Sequence, residues 1–492
     1  MERRHFLRNL GLLSAVTSLP AVPLLANDKT GNTFTTVGVK GRVTAKGKGL
    51  ANVVMSDGYS IAITDKNGNY TINTHHDAEY VFISLPSGYE IPNEHGLARF
   101  YTLINKKSAS QTYNVELKAM ENGDHKHAFV VWADPQIWDK ADGNELVRTS
   151  APDTREEIKN LGGVPTFGIG CGDLVFDKFD LFDDYNKAVE VTGVPFFQVI
   201  GNHDMDGKTA RSDDQSQNKF KSLYGPTYYS FNRGKVHYIM LDDVFFLGSN
   251  KHYVGYLNEQ QLAWIEKDLS TVPHGSMVIV SMHIPTNTGA ARRKGAKEDS
   301  PGGTVANREY LYKMLKPYKV HIMSGHTHWN ENWEKDNIME HNHGTLCGAW
   351  WCGPCGDGAP AGYGVYEVDG DNITWYYKSV GKTKNHQIKI HAKGSIPEKP
   401  NAVVANVWNY DAKWKVEWFE DGVAKGEMTQ YTGFDPETVA LYKGDQLPAK
   451  HKWAEPIKTD HLYLAEPSAN AKTVKVKATD RFGNIFEEVL SI

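Results

Sequence analysis

The hydrophobic pattern of the chain changes character twice. Across 35–117, short apolar runs are cut by Gly, Asn and Asp: Gly38-Val39-Lys40-Gly41-Arg42-Val43, then Gly49-Leu50-Ala51-Asn52-Val53-Val54, then Thr64 to Ile72. Short strands joined by turns fit this pattern, and Asn67-Gly68 marks a tight hairpin because both residues tolerate positive φ. Across 125–381, apolar runs alternate with helical stretches. Strands are expected at 129–133, 166–170, 196–200, 237–241, 277–280 and 320–323, and helices at 154–161, 181–191 and 258–269. Such alternation argues for a layered α/β domain. From 402 to 492 the pattern is β-rich again, with Trp408, Trp414 and Trp418 spread through alternating polar and apolar positions. Polar segments 118–126 and 386–400 are expected linkers. The organisation expected is a leading segment 1–26, a β-sandwich 35–120, an α/β domain 125–385 and a small β-domain 400–492.

Length agrees with that division, because 492 residues exceed what one core holds and imply about three domains. A hydrophobic fraction of 40% excludes a disordered chain. The net charge of -5 is spread along the chain without a basic block, which speaks against nucleic acid or an anionic membrane as partner.

The segment 1–26 does not read as part of the fold. Arg3-Arg4-His5-Phe6-Leu7 resembles a twin-arginine export signal, and Arg8 adds to its charge. An apolar stretch follows from Leu10, interrupted by Pro20 and Pro23, and ends at Ala26, a small residue suited to cleavage. It is too short and too interrupted for a membrane span, and no later stretch is long and apolar enough for one. The expectation is a periplasmic or extracellular protein without a membrane span once the signal is removed. Four cysteines, Cys171, Cys347, Cys352 and Cys355, are too few for a disulfide scaffold of this size.

The residues that carry chemistry stand at the ends of the central strands. Asp134-Pro135-Gln136 ends one, Gly172-Asp173 the next, then Gly201-Asn202-His203-Asp204, Ser281-Met282-His283 and Gly325-His326-Thr327-His328. In an open α/β sheet, ligands bind beyond the carboxyl ends of strands, so these segments deliver carboxylate, amide and imidazole groups to one place. Two divalent ions about 3.5–4 Å apart need a shared anion to offset their repulsion, and Asp173 is placed to provide it. Imidazoles suit Zn, Mn and Fe, and amide or carboxylate oxygens suit harder ions. Glycines before Asp173, Asn202 and His326 are expected to let the backbone turn sharply. His326 and His328 both reach the site only if Thr327 turns away.

This order of motifs resembles the calcineurin-like metallophosphoesterase family. The run Gly225-Pro226-Thr227-Tyr228-Tyr229-Ser230-Phe231 resembles an exported bacterial subgroup with β-domains on both sides. The fold this implies is a layered β-sandwich metallophosphoesterase domain, flanked by an N-terminal transthyretin-like β-sandwich and a small C-terminal β-domain. The resemblance implies that Asp134, Gln136, Asp173 and His328 hold one metal, and that Asp173, Asn202, His283 and His326 hold the other. It further implies that His203 is the general acid near the leaving group, with Asp204 orienting it, and that a hydroxide bridging the metals attacks phosphorus in line. The substrate this implies is a small phosphorylated compound or a cell-envelope phosphate ester, and monoester, diester and diphosphate stay open. The family's usual first motif is Asp-x-His, whereas this chain has Asp134-Pro135-Gln136. A neutral oxygen ligand at Gln136 favours Mn, with Mg, Fe and Zn left open. The alternative, a binding protein that has lost turnover, is opposed by the intact Asn202-His203-Asp204.

Trp351-Cys352-Gly353-Pro354-Cys355 has the form of a thioredoxin redox motif, but its Gly- and Pro-rich flanks do not make the helix that chemistry needs. It is expected to be a loop leaning over the metal site, with Trp350, Trp351, Asp357 and Tyr363 as candidate substrate contacts or, equally, as packing between the middle and C-terminal domains. His341 and His343 are expected on a hairpin outside the metal set, and Arg292, Arg293, Lys294 and Lys297 form a basic run after His283.

Overall fold

The computed structural model describes residues 35–492; the expected export segment lies outside the described residues. In the middle of the chain the long apolar runs form strands buried on both faces. One sheet of seven strands has Lys126–Trp132, Thr166–Cys171 and Phe196–Val199 in parallel at its centre, with Gly362–Asp369 and Asn372–Ser379 antiparallel on one side. A second sheet of six strands carries Val236–Met240, Met277–Ser281, Lys319–Ser324 and Ile338–Asn342 in parallel. The sheets face each other through rings such as Phe129 and Phe167 against Tyr238, with centroids 5.7 and 5.2 Å apart. Helices Ala151–Asn160 and Phe182–Thr192 lie against the outer side of the first sheet, where Trp132 Nε1 donates to Thr154 Oγ1 at 3.1 Å and Trp132 meets Tyr185. Glu259–Leu269 starts where the Asn258 side chain accepts from Gln261 N, satisfying one of the free N–H groups of its first turn.

Parallel strands in each sheet place their carboxyl ends on one side, so the loops after Trp132, Cys171, Val199, Ser281 and Ser324 converge there.

The N-terminal region forms two small sheets, one around Gly38–Ala45 and one around Val54–Ser56 and Tyr80–Ser84. Its strands Asn93–Glu94 and Leu97–Ala98, expected inside the N-terminal sandwich, instead extend the edge of the central sheet next to Phe196–Val199. This covers an edge whose backbone groups would otherwise be unpaired. One buried hydrophobic core runs without a break from Val37 to Trp375. The C-terminal region has two four-stranded sheets and a core of its own, built on Val403, Trp414, Val416, Trp418 and Val474. The expected linker at 386–400 contains a strand, Lys389–His391, paired with Val403–Asn406. Alternation of buried Ile388 and Ile390 with polar neighbours produces it, too briefly to stand out among Lys, Asn and Gly.

Candidate active site

Asp134, Gln136, Asp173, Asn202, His283, His326 and His328 come together at the converging strand ends. Asp173 is at the centre: its Oδ2 accepts from Gln136 Nε2 at 2.6 Å, and its Oδ1 accepts from His203 N at 2.8 Å and lies 3.3 Å from His283 Nε2. His283 Nε2 is 3.2 Å from Asn202 Oδ1 and 3.2 Å from His326 Nδ1. His328 Nε2 is 3.5 Å from Asp134 Oδ1. Ligand atoms of Asp173, His283 and His326 all lie within 4.8 Å of one another.

The site's backbone is strained at five of the clustered residues. Asp134, Gln136, Asp173, His326 and His328 have φ of 48°, 37°, 50°, 68° and 59°. Non-glycine residues rarely adopt this region, and it persists where surrounding structure enforces it, most often at functional sites. The expected turning glycines act differently. Only Gly172 has positive φ, at 81°. At Gly201 a Cβ would overlap Asp173, and at Gly325 it would overlap the Asp134 carboxylate, so these glycines permit close approach of the loops. Thr327 does turn away, donating to Asn342 Oδ1 at 2.9 Å.

Electrostatics favour positive charge at the centre. Burial works against a charged His283, yet the carboxylates of Asp173 and Asp134 raise its pKa to about 10. Burial and the neighbouring His283 push His326 down to about 4, leaving it a neutral imidazole. Asp134 Oδ1, Gln136 Oε1 and His328 Nδ1 are buried without a hydrogen-bond partner in the protein. Buried acceptors are ordinarily satisfied, so the Asp134 and Gln136 oxygens left without a hydrogen bond in this cluster fit a site for cations.

His203 is held differently from the expectation. Asp204 does not orient its ring: the Asp204 carboxylate, fully buried, accepts from Leu174 N and Gly201 N at 2.9 Å and from Val175 N at 3.1 Å. The strand-end turn curls those amides around it and leaves none of its reach for the imidazole. Asp177 is the carboxylate at the His203 ring instead, 3.0 Å from Nδ1, with Lys251 pairing to its other oxygen. Phe176 stacks on the ring at 4.0 Å. Burial disfavours the charged ring, but Asp173 and Asp177 outweigh it and raise the His203 pKa above the usual imidazole value. Sequence reasoning also missed Asp243, whose Oδ1 accepts from His283 N and Ile284 N at 3.1 and 3.2 Å, and Gly302, whose carbonyl is 2.9 Å from His326 Nε2.

The candidate substrate contacts separate. Tyr363 is buried in the central sheet and donates to Asp153, and Asp357 is buried at the seam with the C-terminal domain, 3.0 Å from His461 Nε2. Both belong to packing, because neither side chain reaches open space. Trp351 Nε1 donates to Pro135 O at 3.0 Å, bracing the loop that carries Asp134 and Gln136, and Trp350 stacks on His328 at 4.5 Å. His343 is buried between Ser324 O and Tyr366 OH, and His341 contacts His321 and Asn332, so neither joins the cluster. Arg293 is buried and paired with Glu331 and Asp460, tying the basic run to the C-terminal domain.

The four cysteines are free thiols. Cys352 and Cys355 lie in a turn-rich loop without a helix, and burial pushes the Cys355 thiol up to about 12. A redox pair needs the opposite shift. Replacing both, Cys352→Ser with Cys355→Ser, is expected to leave turnover within a small factor of wild type; a large drop in a steady-state assay would give the pair a chemical role.

Three family profiles match along the chain: the N terminal of calcineurin-like phosphoesterase at 37–120, calcineurin-like phosphoesterase at 145–330, and the C terminal of calcineurin-like phosphoesterase at 340–486. The chain belongs to the calcineurin-like phosphoesterase family. No curated protein matches the sequence. Among solved structures it is similar to a purple acid phosphatase from yellow lupin (Lupinus luteus) seeds, at 17% identity over 65% of this chain and 56% of that one, with a TM-score of 0.37. It is also similar to GAP50, described as the anchor in the inner membrane complex of Plasmodium, at 17% identity over 52% of this chain and 84% of that one, TM-score 0.35. A 5'-nucleotidase from Candida albicans matches at 12% identity over 51% of this chain and 50% of that one, TM-score 0.30. The chain thus spans about half the length of the phosphatase and nucleotidase it resembles.

Proposed function

We propose that the enzyme hydrolyses a phosphate ester at a two-metal centre, with His203 as general acid. The observation that carries this reading is the convergence of oxygen and imidazole donors on Asp173, with Asp134 Oδ1 and Gln136 Oε1 buried without a hydrogen bond in the protein. Asp134, Gln136, Asp173 and His328 would hold one divalent ion, and Asp173, Asn202, His283 and His326 the other. Ions bound there supply Lewis acidity toward the phosphoryl oxygens and lower the pKa of water. The protein's own part is positional and protonic. Asp177 accepts from His203 Nδ1, which leaves the other ring nitrogen to donate a proton to the departing oxygen, and Phe176 fixes the plane of the ring. Second contacts hold the ligands in turn: Cys171 O for His283 Nδ1, Gly302 O for His326 Nε2, and Asp243 for the His283 backbone.

Two measurements test the reading. A general acid contributes typically about 10²–10⁴ in rate, most with a poor leaving group. The His203→Gln enzyme should therefore keep its metals and slow alkyl phosphate esters far more than nitrophenyl esters. Turnover of alkyl esters by wild type should fall as pH rises through the elevated His203 pKa, and that alkaline limb should vanish in the variant. Equal losses on both ester classes would assign His203 to charge stabilisation, and loss of metal would make it a ligand. The neutral Gln136 oxygen favours the harder ion, so Mn is expected to restore the metal-stripped enzyme best. Much higher activity with Zn or Fe would overturn that preference.

A further inference from the structure

A chain of rings in contact, stacked at its two ends and tilted or edge-on between them, leads away from the site. His203 stacks on Phe176, and Phe176 meets Trp138 at 4.5 Å. Trp138 meets His451 at 5.1 Å, and His451 meets Trp453 at 5.2 Å. Trp453 meets Trp350 at 4.2 Å, and Trp350 lies on His328. His451 and Trp453 come from the loop that follows helix Pro436–Lys443 in the C-terminal domain, so that domain supplies part of the rim. Beside His328 this rim opens into a cavity of about 420 Å³, between the middle and C-terminal domains. Its wall holds Trp329, Trp350 and Trp453 together with Lys294, Lys443 and Lys458. Lys443 and Lys458 lie over the Phe434 ring at 5.2 and 5.8 Å. One carboxylate, Glu455, shares the wall, and Arg293 there is already ion-paired. The indole N–H groups of Trp329 and Trp350 are buried without an acceptor in the protein.

The chemistry of this wall is specific. Flat aromatic faces attract planar rings, and base–aromatic stacking recurs wherever nucleobases are bound. Three lysines against one carboxylate attract an anion. We propose that the cavity binds the organic part of the substrate, and that this part is a flat ring system bearing an anionic group, as in a nucleotide. The proposal rests on the phosphoesterase reading for its place next to the reacting phosphoryl group. Trp453 is half exposed, and Lys443 and Lys458 are exposed, so their replacement does not threaten the core.

The test is binding of adenosine 5'-(α,β-methylene)diphosphate, which resists hydrolysis, to the metal-loaded full chain by quenching of tryptophan fluorescence and by calorimetry. Adenosine and inorganic pyrophosphate serve as the flat-only and anion-only probes. The nucleotide analogue should bind at least about tenfold tighter than either, since stacking and charge act together. Both Trp453→Ala and the pair Lys443→Ala with Lys458→Ala should weaken it by about tenfold. Unchanged affinity in both variants, or pyrophosphate binding as tightly as the analogue, would overturn the subsite. Absence of Mn-dependent hydrolysis of glycerol phosphate and nitrophenyl phosphate esters by the wild-type enzyme would overturn the phosphoesterase reading instead, and the binding result would still decide the subsite.

Discussion

The Asp173→Ala protein is expected to lose both metal ions and to fall to background turnover. Asp173 is the residue on which both proposed ligand sets meet, and it is 1% exposed. Two divalent ions about 4 Å apart repel each other by on the order of 15 kcal/mol at an effective dielectric near 20. Without a shared carboxylate that repulsion is unopposed, so neither ion remains at useful occupancy. The same substitution strands Gln136 Nε2 and the His203 backbone N–H, both of which donate to Asp173 in wild type. Each stranded buried donor costs about 1–3 kcal/mol, so some loss of stability accompanies the loss of metal. Asp173→Asn separates the two effects: it preserves shape and one acceptor but removes the charge, and it should also fail to hold two ions. Elemental analysis of both purified variants, beside their circular dichroism, checks this. Two tightly bound ions in either variant would remove Asp173 from the bridging position.

The cluster of candidate ligands was legible because each member follows an apolar run long enough to be recognised as a strand. Phe129-Val130-Val131-Trp132-Ala133 leads to Asp134, and Met277-Val278-Ile279-Val280 leads to His283. What holds those ligands was less legible. Positive φ at Asp134, Gln136, Asp173, His326 and His328 leaves no trace in the sequence, since these residue types do not signal it as glycine does. The glycines beside them were visible, but at Gly201 and Gly325 the cause is a close approach of two loops, which only the assembled fold reveals. Asp177 sits four residues past Asp173 and looks like a solvated loop carboxylate until Phe176 and His203 pack beside it. Asp357 and His461 meet across the domain seam from distant parts of the chain. Trp453 is a lone aromatic in a polar loop, and nothing local links it to Trp350 or His328.

Asp204 carries the second large effect, and it is an effect on stability. Its carboxylate is buried and accepts from Leu174, Val175 and Gly201. Those amides belong to the loops that present Asp173 and Asn202, so one side chain locks these two loops together. Asp204→Ala leaves three buried N–H groups without an acceptor. At about 1–3 kcal/mol each, offset in part by release of a buried carboxylate, the expected destabilisation is about 3–5 kcal/mol. Thermal unfolding should then shift down by on the order of 5–10 °C. Metal affinity should weaken as well, because the loops that carry Asp173 and Asn202 lose their common anchor. The contrasting variant is Asp177→Asn. It faces the His203 ring from a half-buried position and accepts from none of those amides, so it should leave the unfolding midpoint near wild type. Its effect should appear in turnover, larger for alkyl than for nitrophenyl esters, because the donor loses its orienting charge. If Asp204→Ala instead kept the wild-type unfolding midpoint and lost only turnover of alkyl esters, the orienting role would return to Asp204, and Asp177 would be a bystander.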